Sequence, residues 1–134
     1  MIERFYAPHA QDFDRALSEI RAGRKDCHWM WYIFPQLRGL GRSPVAQHYG
    51  LAGLEEAKRF AADPKLGGNL RTITQALLDQ PKRNANAIFG SIDAMKLCSS
   101  MTLFELADPA CPLYSQVLEE FFGGRRDQKT MDLL

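Results

Sequence analysis

Residues 28–36, with the sequence HWMWYIFPQ, carry the side chains best suited to bind or transform a ligand. Both tryptophans of the chain, Trp29 and Trp31, lie there beside the imidazole of His28 and the amide of Gln36. Indole rings stack on planar ligands, and an adjacent imidazole could donate or accept a proton. The same rings could instead form packed core, because large aromatic side chains dominate core burial. If the run is exposed, it would suit a partner protein, since aromatic residues are enriched at interfaces.

The sequence GLGRSP at residues 39–44 is a candidate anion site. Glycines let the backbone approach a ligand closely, Arg42 offers a bidentate fork, and the helix that Ser43 and Pro44 begin presents free N–H groups. A loop followed by a capped helix explains the same residues without a ligand. The segment is neither a Walker loop nor a dinucleotide fingerprint, because no Lys-Ser/Thr follows and no strand precedes it. We predict Arg42 and Ser43 as ligand-binding residues.

Lys96 is a further candidate, because Ser99 and Ser100 share its helix face and could form a lysine–serine pair for nucleophilic chemistry. Two alternatives involve no chemistry: a serine hydroxyl bonded to the carbonyl four residues earlier, and an i,i+3 ion pair of Lys96 with Asp93. The catalytic residues therefore stay unknown, and His28 and Lys96 are the only candidates that we retain for catalysis.

The composition predicts no metal site, no cofactor and no nucleic-acid partner. Three widely spaced cysteines, without a Cys-x-x-Cys or His-x-x-x-His motif, indicate reduced thiols rather than disulfides or zinc ligands. Seventeen basic and sixteen acidic residues give a net charge of +1, with no basic face evident. The longest apolar run, residues 29–34, falls far short of the roughly 18 residues that span a membrane. With no apolar signal region at the N-terminus, we predict a cytoplasmic protein.

Helical periodicity dominates the remaining sequence. The predicted helices run from Asp12 to Gly23, from Ser43 to a bend near Gly50, from Leu54 to Asp63, from Asn69 to just before Pro81, from Ser91 to Asp108, and from Leu113 to Gly123. The run Trp29–Phe34 could be a strand or a short helix; we prefer helix, because an isolated strand would leave backbone groups unpaired. The predicted fold is all-α, a single compact, irregular multi-helix domain over residues 1–134 with about six to seven helices.

Several short motifs extend over almost the whole chain. They are GRK at residues 23–25, HWMWYIFPQL at 28–37, GLGRS at 39–43, IFG at 88–90, KLCSSMTLF at 96–104, and GG at 123–124 followed by Asp127, Thr130 and Leu133-Leu134. In these motifs the chain resembles a bacterial family labelled domain of unknown function 1810, whose members are sometimes misnamed calpastatin. The resemblance implies a mainly helical fold. It implies no activity, substrate or catalytic residue.

Three functions are compatible with these residues. We predict a pocket for a small anionic, ring-containing ligand such as a nucleotide derivative, which the protein binds and could turn over. Its predicted residues are His28, Trp29, Trp31, Gln36, Arg42, Ser43 and Lys96. The alternative is a protein–protein interaction or homo-oligomeric module, for example a homodimer, with no catalytic activity. A third interpretation makes the aromatic run core alone. The pocket hypothesis requires His28, Arg42 and Lys96 to meet in space.

Overall fold

Nine α-helices follow a short 3-10 turn at Ile2–Phe5 in the computed structural model, which describes residues 1–134. They are α1 (Tyr6–Ala22), α2 (Met30–Ile33), α3 (Pro44–Tyr49), α4 (Leu54–Ala62), α5 (Pro64–Asp79), α6 (Ala85–Phe89), α7 (Ser91–Ala107), α8 (Leu113–Phe122) and α9 (Gln128–Leu133). No strand forms, and one isolated parallel bridge joins Leu37 to Leu51. The predicted all-α class is confirmed. None of the helices is long and apolar enough to cross a membrane.

The predicted number of six to seven helices is wrong, because the two helices missing from the prediction, α6 and α9, are too short to show periodicity. Helix α6 has five residues and α9 has six. A helix of fewer than two turns presents only one or two inward positions, so no repeat can be recognised along the sequence. The single turn at Met30–Ile33 does confirm the preference for helix over strand in the aromatic run.

Two predicted helix starts are also wrong. Helix α1 begins at Tyr6 rather than Asp12, because the preceding 3-10 turn runs directly into it. Helix α5 begins at Pro64 rather than Asn69, since Asp63 ends α4 and also caps α5. Its carboxylate accepts hydrogen bonds from the N–H groups of Lys65 and Leu66, at 3.1 and 2.9 Å. Because this cap stabilises the start of α5, the helix includes two glycines whose low helix propensity had favoured a later start.

Helix α7 lies at the centre of the fold and packs against α4, α6, α8 and α9, while α1 packs against α5. Most α7 side chains beyond its first turn are buried. A line of aromatic rings crosses the core beside α7, with centroids 5.0 to 5.8 Å apart; its members are Phe5, Phe60, Phe104 and Tyr114. Because α7 continues past this core at its N-terminal end, its first turn is left at the surface beside α2.

His9 is a buried histidine that links α1 to two other parts of the chain. Its side chain is 1% exposed, its Nε2 lies 2.7 Å from the carbonyl oxygen of Tyr32, and its Nδ1 lies 3.0 Å from the amide nitrogen of Asn69. The neutral tautomer with its proton on Nε2 satisfies both contacts, donating to Tyr32 and accepting from Asn69. Burial lowers the pKa of His9, and the Tyr32 carbonyl offsets only part of that effect.

Acid is therefore expected to destabilise the protein through His9. The unfolded chain takes up a proton below about pH 6.5, the ordinary histidine value, whereas the folded chain resists it until lower pH. The stability that neutral His9 contributes is fully present above that pH and is lost as the pH falls toward the pKa of His9 in the folded protein. When the pH is lowered from 7.5 to 5.5 (about one unit either side of that value), the free energy of unfolding measured with urea should fall less in His9→Gln than in wild type. The control is His48→Gln, at an exposed histidine; an identical loss in all three proteins would contradict the assignment.

Candidate functional site

A cleft of about 370 Å3 opens between α2 and the first turn of α7. Its polar side chains and its aromatic wall come from two distant parts of the sequence, and we call it the α2–α7 cleft. The residues that give it its charge and its flat wall are Lys25, His28, Trp31, Ser91, Asp93 and Lys96. The volume is within the range of roughly 300–1,000 Å3 that small-molecule sites occupy.

Two local features bring the halves of the cleft together. Gly90 separates α6 from α7 and has a φ of +81°, a conformation that side chains with a Cβ rarely adopt. The backbone N–H of Lys25 donates to the carbonyl of Ile88 at 2.8 Å, which ties the loop before α2 to the end of α6. The loop residues 25–28 therefore lie against the start of α7, although more than 60 residues of sequence separate them.

One carboxylate serves two ammonium groups inside the cleft. Asp93 lies 2.7 Å from the Nζ atom of Lys25 and 3.5 Å from that of Lys96. The Lys25 side chain is only 6% exposed, and its ammonium also donates to the carbonyl of Cys27 at 2.6 Å. Because two cations share one anion, the cleft carries one excess positive charge before His28 is considered.

Each of these lysines also lies over an indole ring. The Lys96 ammonium is 4.7 Å from the ring centroid of Trp31, and the Lys25 ammonium is 5.0 Å from that of Trp29. A cation at this distance is attracted to the negative face of the ring. Lys96 is thus held between Trp31 and Asp93, at the boundary between the cleft and solvent.

Trp29 is a core residue that fixes the loop beneath the cleft. Its side chain is 1% exposed, and its indole N–H donates to Glu19 Oε1 at 2.9 Å. The same oxygen accepts the backbone N–H groups of Asp26 and Cys27, at 2.8 and 3.1 Å. Burial raises the pKa of Glu19, but these hydrogen bonds outweigh it and hold the pKa below its usual range. A charged acceptor on α1 therefore orders the backbone that leads to His28.

The cleft brings together three of the seven residues that the sequence analysis selected: His28, Trp31 and Lys96. Gln36 lies behind them, beside a space of only about 10 Å3 that Trp31 and Lys96 also line. That space is close to the lower limit for a single water molecule, so Gln36 is not reached from the cleft. Trp29 does not line the cleft.

Arg42 and Ser43 lie outside the α2–α7 cleft. The predicted helix start is confirmed, because the Ser43 hydroxyl accepts the backbone N–H of Ala46 at 3.1 Å. Arg42 is exposed, and its carbonyl accepts the side-chain amide of Gln47 at 2.9 Å. The pocket hypothesis required His28, Arg42 and Lys96 to meet. His28 and Lys96 line the same cleft, whereas Arg42 does not.

Ser99 and Ser100 follow Lys96 on α7 but do not line the cleft with it. The Ser99 hydroxyl donates to the carbonyl of Met95 at 3.1 Å, four residues earlier. The Ser100 hydroxyl is buried without a hydrogen-bond partner. Lys96 instead forms the i,i+3 ion pair with Asp93, which was the alternative to a lysine–serine pair in this segment.

Lys25 and Ser91 line the cleft but were not predicted from the sequence, and Asp93 was expected only as a surface partner of Lys96. Lys25 could have been found by its position three residues before His28, since a cation next to the aromatic run is a reasonable anion ligand. Nothing local to Asp93 indicates that it pairs with Lys25, because the two lie on separate elements.

The exposed apolar side chains nearest the cleft are not the aromatic ones. Trp29 and Tyr32 are buried, whereas Ile92 and Met95 are 71% and 70% exposed on the first turns of α7. The interaction or homo-oligomeric alternative stays a prediction. An interface at this end of the molecule would use these two aliphatic side chains.

Comparison with known proteins gives a family match and a structural match. A family model described as "Protein of unknown function (DUF1810)" matches residues 1–134. The crystal structure of the conserved hypothetical protein Rv1873 from Mycobacterium tuberculosis is 43% identical in sequence and has a TM-score of 0.97. The match covers 99% of this chain and 95% of that chain. None of the curated proteins compared matches this chain.

Proposed function

The chain belongs to the DUF1810 family of proteins of unknown function, and we propose that it binds a small anionic, ring-containing ligand, such as a nucleotide derivative, in the α2–α7 cleft. One observation carries the proposal: His28, Trp31 and Lys96 line a single cleft of about 370 Å3 together with Lys25 and Ser91. These residues supply cations, a hydroxyl and a flat ring within one space. The combination suits a ligand with a charged group at one end and a planar group at the other.

The excess positive charge favours an anion. Asp93 neutralises one of the two ammonium groups, and the bonds of Lys25 to Asp93 and Cys27 use two of its three N–H donors. A phosphate or carboxylate of the ligand would complete the coordination of Lys25 and draw Lys96 toward it. Such charge-assisted hydrogen bonds are roughly twice as strong as neutral ones.

The first turn of α7 adds further donors. No side chain caps this helix, whose N-cap is Gly90, and the first N–H groups of a helix have no partner within the helix. The helix dipole places partial positive charge at the same end. Ser91, the first residue of α7, contributes a hydroxyl that makes no hydrogen bond within the chain and lines the cleft.

Trp31 provides the surface for the ring. Its outer face is covered by the Lys96 ammonium at 4.7 Å, held there by the weak 3.5 Å ion pair with Asp93. A planar ring that stacks on Trp31 takes the place of the ammonium, which is then free to pair with the anionic group of the same ligand. Ile92 lines the cleft as well and offers an apolar contact. His28, the imidazole of the cleft, is placed to exchange a proton with a bound ligand.

Nucleoside monophosphates are the probes that test the proposal by thermal denaturation. At about 100 times its dissociation constant, a bound nucleotide should stabilise the fold by roughly 2.7 kcal/mol. Lys96→Gln should abolish this stabilisation, because it removes the cation that pairs with the anionic group of the ligand after the ring has taken its place on Trp31.

The matched control is Arg42→Gln, which removes one positive charge from an exposed arginine outside the cleft. It should keep the nucleotide-induced shift. If no nucleoside monophosphate stabilises the wild type, or if Lys96→Gln and Arg42→Gln keep the same shift, the proposal is wrong.

A further inference from the structure

A second and larger cavity, of about 530 Å3, lies where the end of α1, the C-terminal half of α5 and the start of α8 meet. We call it the α1–α5–α8 cavity. It shares no lining residue with the α2–α7 cleft. Polar side chains make up most of its wall, and they are Arg21, Arg71, Thr72, Gln75, Asp79 and Gln80.

Two guanidinium groups of this wall have no counter-ion. Arg21 forms neither an ion pair nor a hydrogen bond through its side chain, and Arg71 uses only Nη1, to donate to the carbonyl of Ala61 at 3.2 Å. Asp79 is the acidic residue of the wall. Its Oδ1 accepts the side-chain amide of Gln75 at 3.0 Å, and it pairs with neither arginine. Two cations and one anion leave one excess positive charge, with most guanidinium donors unused.

The shape of the cavity is fixed by hydrogen bonds behind it. The side-chain amide of Gln80 donates to the carbonyls of Ile20 and Arg21, each at 3.1 Å. These bonds hold the end of α5 against the end of α1, so the two elements that carry the arginines keep a constant separation. The backbone positions of Arg21 and Arg71 are therefore set before a ligand binds, and the ordering cost is confined to their exposed side chains.

We propose that the α1–α5–α8 cavity binds a small polyanion with at least two carboxylate or phosphate groups. A planar guanidinium bonds either group bidentately, and two arginines on different helices match two separated anionic groups. The 530 Å3 volume is that of a small-molecule site and is much larger than a single inorganic anion requires. This site is additional to the ligand proposed for the α2–α7 cleft and does not depend on it.

The test is an NMR titration of the side-chain Nε–H signals of arginine, with citrate and pyrophosphate as probes at constant ionic strength. The Arg21 and Arg71 signals should shift and saturate by about 10 mM probe, as expected for dissociation constants of about 1 mM or below. Sodium chloride of equal ionic strength should cause no saturable shift, because a monovalent ion cannot bridge two arginines.

Variants decide whether the two arginines form the site. Arg21→Gln and Arg71→Gln should each weaken binding by about tenfold. Arg59→Gln, which removes an exposed arginine of α4 outside both cavities, should not. Lys96→Gln should leave this titration unchanged, which separates it from the cleft. The absence of saturable shifts with both probes, or equal affinity in Arg21→Gln and Arg59→Gln, overturns the inference. Thermal melting of each variant verifies that it is folded.

Discussion

Replacing Trp29 with alanine is expected to destabilise the protein by roughly 3–5 kcal/mol, as for other large aromatic residues removed from a packed core. The Trp29 ring centroid lies 6.3 Å from that of Phe34 and 6.5 Å from that of Phe89, and the Lys25 ammonium covers it from the cleft side. Alanine would leave a cavity between these groups and would remove one of the three hydrogen bonds that Glu19 Oε1 accepts. Because typical domains are stable by only 5–15 kcal/mol, urea denaturation should show a large loss.

Trp31→Ala is the matched control, since it truncates the same residue type two positions later. Trp31 is half-buried on the cleft wall, so its loss should cost less free energy of unfolding than the loss of Trp29. It should also remove the proposed nucleotide-induced stabilisation while the fold persists. Equal destabilisation by the two variants would contradict the placement of Trp29 in the core and Trp31 at the cleft.

The sequence left open whether the aromatic run packs in the core, lines a pocket or contacts a partner, and it could not show how the two tryptophans divide between core and cleft. Trp29 is the N-cap of α2, and Trp31 lies two residues further along the chain. Residues two apart on a helix are rotated by about 200° around its axis, so a helix that begins here favours different sides for the two indoles. Which side faces the core depends on how α2 packs against the rest of the chain. That packing is set by contacts with distant residues such as Glu19 and Phe89.

The same distinction between local and distant interactions explains the outcome for the site. Ser43 was identified as a helix cap because the side chain and the N–H it accepts are three residues apart. The pairing of Lys25 with Asp93 and the convergence of His28 with Lys96 join parts of the chain that have no sequence pattern in common. Arg42 looked equivalent to Lys96 as an anion ligand from the sequence, and only the fold separates them.

Glu56→Gln is expected to destabilise the protein by about 3–5 kcal/mol, the usual cost of breaking a buried ion pair at one partner. Glu56 accepts two hydrogen bonds from the Arg4 guanidinium, at 2.8 and 3.0 Å, and one from the backbone N–H of Ala52 at 2.9 Å. The two side chains are only 12% and 7% exposed. Glutamine keeps the shape but leaves the Arg4 cation without its anion, and urea unfolding at neutral pH measures the loss.

The pH dependence of that loss identifies its cause. The Arg4 guanidinium lowers the pKa of Glu56 to about 2, against 4.5 for an ordinary glutamate. The stabilisation is therefore fully present above pH 4.5 and disappears as the pH falls toward 2, where the folded protein must also take up the proton. Wild type and Glu56→Gln should differ most at neutral pH and converge in acid.

Glu55→Gln is the control, because Glu55 is 77% exposed and pairs only with Lys58. It should change stability by less than about 1 kcal/mol at any pH, as exposed ion pairs do. A constant gap between wild type and Glu56→Gln down to acid pH would assign the loss to packing. Convergence would instead assign the loss to the charge of Glu56. That charge holds Arg4 in place, and the Arg4 guanidinium also donates to the carbonyl oxygens of His48 and Gly50. The ion pair therefore fastens the N-terminal turn to the end of α3 and the segment that follows it.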